Sequence, residues 1–567
     1  MTTQGNEWST YVVEEWTEDE TAILNRYFTN LDCPVFCIIN LPQVVSGALF
    51  ARYSRTTKST RRLFLDEFYE GLSGDKSEAS RVSTKRAEQL YHRVFDEFDD
   101  ESVTQLGGVH LVFEQSSNIV INEIEWGRLA AYLEQSTRYI DYSVPLADGR
   151  FRYRRDPEIL DGPNADEYVR TMDELFGSYQ QMFERAVARF EILNPRENFD
   201  GDDRAYRTTI RAKAFDTIRT MLPAGIVSNV GFFGSAQAAA NMLRRLLSSE
   251  LAEARTIGQM ALQELRHPDA APAFFNQIDD PVKGVPWVQY FRDTREQARQ
   301  LVRQIEEENP LLSGTSITLP AENVVDLAYA DPNNEVRVAG AILYEFDTLG
   351  RMQIDCDELA RAMSPEERAE LIHTYCGKRG SLGSSEGNRR WKPGRAFEHA
   401  RYSFNLLIDF GIMRDWKRHR MLTIDWGKVT PYFGWTVSPF IEDMEQLELY
   451  QQAMEKSRSL YELLESDHPE AAQYAVCLAY RMRVSMEINA RALMFMLELR
   501  TSQQGHPSYR RIGQQMHQLV CEVDPVIGEC MSYVDYQEYN LEREAAETRL
   551  SIKRAARAAK TNSSGMD

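Results

Sequence analysis

The feature that most constrains this chain is that it repeats itself. "VVSGALF", ending at Phe50, recurs as "RVAGAIL", ending at Leu343, and Gly47 and Gly340 stand 293 positions apart. "VHLVFEQSSNIVINEIEWGR", with His110 and Trp126, recurs as "EHARYSFNLLIDFGIMRDWKRHR", with His399 and Trp416, at offsets of 289 and 290. Three similar offsets in one order mark two diverged copies of a unit of roughly 280 residues, each match followed by a helix-rich segment. The join falls in "NPLLSGTSITLP", Asn309 to Pro320, where Pro and Gly interrupt the helical pattern. The expected organisation is a first copy over residues 1–310 and a second over 311–567.

Helical patterning dominates both copies. "DEYVRTMDELFGSYQQMFERAVARF" from Asp166 and "EDMEQLELYQQAMEKSRSLYELL" from Glu442 place apolar side chains at three- and four-residue intervals, the period of an amphipathic helix. Ser364-Pro365-Glu366-Glu367 predicts a helix start, with a Ser cap, Pro in the first turn and Glu at the capping-box position. "PVFCIIN" from Pro34 and "VHLVFEQ" from Val109 predict strands. Helices outnumber strands, so the expected class is α+β and helix-rich. "GKRGSLGSSEGNRRWKPGR", Gly377 to Arg395, predicts a disordered basic excursion, with a loop that closes over an anion as the alternative. The final "KTNSSGMD" predicts a disordered tail.

Composition excludes several classes. Lys and Arg number 65 against 86 Asp and Glu, a formal charge of −21, which argues against a general nucleic-acid partner because phosphate backbones need a basic footprint. Seven cysteines, Cys33, Cys37, Cys356, Cys376, Cys477, Cys521 and Cys530, include no C-x-x-C pair, so a disulfide framework is not expected and a reducing compartment fits. No Cys/His cluster has zinc spacing, so no metal site is expected. The N-terminal residues lack a signal-peptide pattern and no apolar run is long enough to span a bilayer, so a cytoplasmic protein without a membrane partner is expected. The phosphate-binding G-x-x-x-x-G-K-[ST], G-x-G-x-x-G and H-E-x-x-H are all missing.

Three constellations have the composition of binding sites. Arg418-His419-Arg420 groups cations that bind phosphate or polarise a carbonyl; a solvated basic patch has the same sequence. In "INARALMFMLELRT", Asn489 and Arg500 fall within about 20° of one helix face and roughly 16 Å apart, enough to reach two ends of an elongated cofactor. Arg491 falls nearly opposite Arg500, and an amphipathic core helix fits the same pattern. In "YLEQSTRYIDY", Glu134, Ser136 and Arg138 alternate along one side of an extended segment, which suits a phosphorylated, hydroxyl-bearing ligand or an ordinary edge strand.

Taken together these motifs resemble the flavin-dependent thymidylate synthases, in a long two-repeat form. Arg418-His419-Arg420 is similar to the family's RHR signature, with "FEH" at Phe397 to His399 upstream. Asn489, Arg491, Arg500 and His506 resemble its C-terminal flavin- and nucleotide-binding helix. "RAFEH…RDWKRHRMLT" and "GALFARYSR" resemble the long branch. Two departures are informative. The family's Asn-Glu-x-Ser-x-Arg, expected just after the RHR, is missing there, although Thr423 keeps a hydroxyl. The first copy, which keeps only Arg128 of the RHR, instead carries Glu134, Ser136, Arg138 and Tyr139 in the family's order. "IRTMLP", Ile218 to Pro223, resembles the family's ARxxLP and makes Arg219 a candidate; the matching "VCLAYR" has no such Arg. The first-copy counterpart of "NAR…LR" carries Ser235 and Gln237 instead.

Each copy thus lacks what the other retains, which implies one composite site per chain. The first copy supplies a nucleotide wall, Glu134, Ser136, Arg138 and Arg219. The second supplies a flavin wall, His399, Arg418, His419, Arg420, Asn489, Arg491 and His506, with Arg500 facing the pyrimidine as the catalytic residue. The resemblance implies reductive methylation of dUMP to dTMP, with FAD as cofactor and NADPH and methylenetetrahydrofolate as co-substrates. Since family members are homotetramers with shared sites, it also implies a homodimer of this doubled chain. A non-catalytic flavin or nucleotide binder, and a flavoenzyme for another uracil-like nucleotide, are the alternative readings.

Overall fold

A computed structural model describes residues 14–32, 36–53, 58–69, 105–138, 140–146, 148–266, 275, 287–309 and 323–563. The join from 310 to 320, Cys33 and Tyr139 lie outside the described residues. The chain folds into two compact units, one of Met1–Phe113, Gly127–Leu133 and Val230–Thr315, the other of Glu114–Trp126, Glu134–Asn229 and Ser316–Asp567. These units are a different division from the two sequence copies, because the second contains residues of both.

The first copy contributes, in order, α1 (Gln43–Tyr53), β1 (Gly108–Ser117), α2 (Asn118–Ile124), β2 (Ala130–Glu134), α3 (Ala165–Leu193), α4 (Asp203–Ile218), β3 (Val227–Ser235) and α5 (Ala236–Leu247). The second contributes β4 (Val324–Ala330), α6 (Asn334–Glu345), α7 (Pro365–Cys376), β5 (Arg401–Asp409), α8 (Phe410–Trp416), β6 (Leu422–Trp426), α9 (Leu447–Glu465), β7 (Arg481–Asn489), α10 (Ala490–Arg500), α11 (Pro507–Val523) and α12 (Glu544–Ser563). The series strand–helix–strand, long helix, strand–helix therefore occurs twice. The class is α+β and helix-rich, with two tandem copies of one unit.

The local chemistry of the turns is duplicated as well. Ser117 and Asp409 each end a strand and cap the following helix, accepting from Val120 N at 3.2 Å and Ile412 N at 2.9 Å. Ser235 and Asn489 do the same for α5 and α10. Ser117 and Asp409 stand 292 positions apart, which sets Arg128 opposite Arg420. His110 with His399, and Trp126 with Trp416, are each displaced from that equivalence by two or three positions, because a cap has a fixed geometric place and those rings do not.

In the second compact unit the sheet order is β4-β5-β7-β6, all antiparallel. Tyr402, Phe404, Leu406 and Ile408 of β5 and Met482, Val484, Met486 and Ile488 of β7 are all buried, the period-two pattern of a sheet with one face on a core. The helix α3 packs on α4 and α9. The related stretches near Arg219 and Cys477 pair with each other: Ala224 N donates to Val476 O at 2.7 Å, Gly225 N to Tyr474 O at 2.9 Å, and Leu478 N to Leu222 O at 2.9 Å. A Cβ on Gly225 would lie 2.8 Å from Tyr474 O, so this close approach requires glycine. β1, β2 and β3 form a three-stranded sheet in the order β1-β3-β2, and the division between units falls within each strand.

The capping box at Ser364 forms as expected, as do α3 and β1. Four local expectations need correction. The described part of "PVFCIIN" holds only an isolated bridge at Ile38, not a strand. The helix expected from Glu442 is interrupted at Glu445, whose φ of 55° ends a short first piece before α9 begins. Gly377 to Arg395 is not a disordered excursion: Arg379 is buried within it and pairs with buried Glu498 at 2.6 Å. Gly387 has a φ of 86°, and a Cβ there would meet Arg379 O at 1.9 Å, so its backbone conformation is built around that arginine. Lys560 to Ser563 belong to α12, and the last four residues lie outside the described ones.

Candidate functional site

A buried cluster of charge lies at the ends of β2, α4, α8 and α10, all within the second compact unit. Arg138 follows β2. Its Nε and Nη2 donate to Asp216 Oδ1 and Oδ2, both at 2.5 Å, and Nη2 also donates to Gln504 O at 3.1 Å. Burial works against both charges, yet the pairing holds Asp216 below the usual carboxylate range and Arg138 above its ordinary value. Ser136 accepts from Arg138 N at 3.3 Å, so it supports the turn that presents the guanidinium.

Arg219 caps α4 and is buried. Its Nη2 stands 3.4 Å from Gly411 O and 3.6 Å from Asp415 Oδ2, and its buried Nε has no hydrogen-bond partner. Arg500, the last residue of α10, reaches the same carboxylate, with Nη1 at 3.6 Å from Asp415 Oδ1. Arg500 Nη2 also donates to Asp415 O, and Nε donates to His419 Nε2 at 2.9 Å. Burial opposes ionisation of Asp415, but the charges of Arg500, Arg219, Arg418 and Arg138 hold its carboxyl below the usual range.

Glu134, at the end of β2, is buried and accepts from Arg414 and Arg418. Lys417, also buried, donates to Asn122 and pairs with Glu125 at 3.1 Å. Burial pushes Lys417 down to about 8, partly offset by Glu125 and Glu134. Across these ion pairs six cations, Arg138, Arg219, Arg414, Lys417, Arg418 and Arg500, meet four carboxylates, Glu125, Glu134, Asp216 and Asp415. Within these ion pairs the cations outnumber the carboxylates by two, which suits an anionic ligand, and buried Asp409 also faces the charge of Arg219.

The two histidines here are neutral. Burial and the charge of Arg500 push His419 well below its ordinary value. Because a guanidinium only donates, His419 Nε2 accepts and Nδ1 carries the proton. Burial, with Arg219 next, pushes His506 down to about 3. Its Nδ1 accepts from Ser508 N at 3.2 Å, so Nε2 donates to Asp216 O at 2.8 Å.

The remaining residues expected at the site stand elsewhere. Asn489 caps α10 through Ala492 N at 2.9 Å. Arg491 donates to Pro393 O at 3.0 Å and Glu398 Oε1 at 2.9 Å. His399 and Arg420 are exposed. The structure thus brings together Glu134, Arg138, Arg219, Arg418, His419, Arg500 and His506, and leaves Asn489, Arg491 and His399 at the other end of α10. Sequence reading misses Asp216 and Asp415, which hold the arginines. Asp415 lies inside the "RDWKRHR" stretch itself, but its sign runs against a search for phosphate-binding cations.

A family model described as thymidylate synthase complementing protein matches residues 49–270 and 326–526, one stretch in each copy. The chain belongs to the thymidylate synthase complementing protein family. Within it, a UPF0159 protein of Chlamydia muridarum (strain MoPn / Nigg) is 34% identical over 542 residues, covering 94% of this chain and 98% of its own. A UPF0159 protein of Chlamydia pneumoniae is 33% identical, covering 94% and 97%. A UPF0159 protein of Thermoplasma acidophilum is 28% identical, covering 89% and 98%. These relatives match this chain along nearly their whole length. A solved UMP/dUMP methylase from Streptomyces cacaoi, bound with 5-Br dUMP, is 19% identical with a TM-score of 0.30, covering 38% of this chain and 96% of that one. As a family member the chain is thymidylate synthase-like. Among the described residues no group of three or more His, Cys, Asp and Glu side chains is placed to hold a metal, and no helix is long and apolar enough to cross a membrane. The six described cysteines are free thiols.

Proposed function

We propose that this chain methylates dUMP to dTMP reductively, with FAD as cofactor and methylenetetrahydrofolate and NADPH as co-substrates, at one composite site per chain. The observation that carries this reading is the meeting of Arg138 and Arg219 from the first copy with Arg418, His419 and Arg500 from the second. The surplus of cations in these ion pairs suits a phosphate monoester. Arg219, with an unpartnered Nε, supplies donors for that phosphate, and Arg138 faces the same His506. Arg500 faces the pyrimidine, where a guanidinium stabilises negative charge on the carbonyl oxygens as C5 becomes nucleophilic.

The donor set also fits FAD. Phe495 on α10 is 40% exposed, Lys392 Nζ lies 3.7 Å from its ring centroid, and the His419 ring meets its edge at 5.8 Å. Arg491 lies one turn away on the same helix, and Arg420 is exposed. A flat ring system and a pyrophosphate need such an aromatic surface and such cations. FAD, reduced by NADPH, would supply the two electrons and the hydrogen that turn a transferred methylene into a methyl group. The protein's part is to bind, orient and keep His419 and His506 unprotonated. A homodimer of the doubled chain would rebuild an assembly of four units.

One observation favours a non-catalytic nucleotide or flavin binder instead: the Arg138 fork is committed to Asp216 at 2.5 Å. The visible spectrum of the purified protein, with its released cofactor identified, tests the reading. It requires FAD near one per chain and dTMP formation from dUMP. Two per chain would dismiss the composite site. A colourless protein that takes up no added FAD would leave the non-catalytic reading.

A further inference from the structure

The two aspartates of the cluster hold their arginines differently. Asp216 takes Arg138 at 2.5 Å through two parallel hydrogen bonds. Asp415 stands 3.6 Å from both Arg219 and Arg500, beyond ordinary hydrogen-bond reach, though the same two guanidinium groups flank it. Arg219 is the under-satisfied member, being 5% exposed with its Nε unpartnered. A buried guanidinium normally fills its donors; this one has a single long hydrogen bond, to Gly411 O at 3.4 Å, and is otherwise held by charge. The Asp415 side chain is 20% exposed.

We propose that Asp415 is an internal counter-anion that an entering phosphate monoester displaces, taking Arg219 from it. The carboxylate keeps the arginines oriented and apart while no ligand is bound. A phosphate offers more acceptor oxygens than the carboxylate and reaches hydrogen-bond distance, whereas a monoanion of carboxylate type gains little by the exchange. The cost of displacing Asp415 therefore selects for a dianion. This rests on reading the cluster as an anionic-nucleotide site, and it adds a residue that tunes affinity and selectivity there.

The test is calorimetric titration of the full-length wild type and of Asp415→Asn with inorganic phosphate, acetate and dUMP separately. Removing the competing charge should tighten phosphate binding about ten-fold or more and narrow the preference for phosphate over acetate. Weaker or unchanged phosphate binding by a folded Asp415→Asn would overturn the proposal, because Asp415 would then only position the arginines. Asp415→Ser gives the same comparison if the amide variant does not fold. Tighter phosphate binding without any dUMP binding would sustain the counter-anion and sink the nucleotide reading. Good dUMP binding by the wild type that Asp415→Asn weakens would do the reverse. Binding of none of the three anions by either protein would overturn both.

Discussion

Arg500 donates from Nε to His419 Nε2 at 2.9 Å, so the helix that ends in Arg500 fixes the tautomer of the central residue of the RHR stretch. The contact spans 81 positions of sequence. It ties the arginine proposed to face the pyrimidine to the segment expected to hold the flavin, and it gives Arg500→Ala two consequences. dUMP binding should be lost in titration calorimetry, and the imidazole should lose its fixed tautomer, visible as altered ring nitrogen shifts in 15N spectra. Normal dUMP affinity in that variant would remove Arg500 from the site.

Arg138→Ala should cost both binding and stability. The substitution leaves Asp216, 4% exposed, without its partner, and breaking a buried ion pair costs about 3–5 kcal/mol. Urea melts should show that loss in the single variant and a smaller one in Arg138→Ala with Asp216→Asn, where no charge is stranded. Both should fail to bind dUMP. A folded Arg138→Ala that binds dUMP normally would end the composite-site idea.

Acid should destabilise the protein through His506. Its folded pKa is depressed from 6.5 to about 3, so its contribution is present above 6.5 and is lost as pH falls through that window. The midpoint of unfolding should drop between pH 6.5 and about 4 by an amount worth a few kcal/mol. His506→Gln, which cannot titrate, should show a flatter profile over the same range. Equal slopes for the two proteins would exclude His506 as the cause.

Gly225→Ala should damage the fold at a distance from any charge. The new methyl would sit 2.8 Å from Tyr474 O, on backbone that cannot move without breaking the paired segments. A loss on the order of 1–3 kcal/mol is expected, read as a lowered unfolding midpoint. Because this pairing carries Arg219 toward Asp415, phosphate affinity should fall with it. A neutral substitution would mean that the two stretches are less tightly apposed than described.

Much of this is legible in the residues. The duplication, the helix-rich class, the capping box at Ser364 and the strand at Val109 follow from short-range patterns, since a helix or a cap is decided within one or two turns of chain. Of the six clustered cations Arg138, Arg219, Arg418 and Arg500 are legible too, because charge-bearing motifs are local, whereas Arg414 and Lys417 are missed. The roles of several are not. The motif puts Asn489 on a cofactor; the fold adds that its Oδ1 caps α10, which the motif does not show. The stretch around Arg379 reads as loose because glycine and serine signal flexibility. Its order comes from Glu498, 119 positions away.

The sequence by itself determined that this chain is two copies of one α+β unit and that its cationic motifs are divided between them. Only the tertiary structure decided which carboxylates those arginines face. Asp216 and Asp415 neutralise Arg138, Arg219 and Arg500 across 78 to 196 positions of chain. Electrostatic pairing in a buried cluster depends on distance in space and on exclusion of water, and neither is written in local composition.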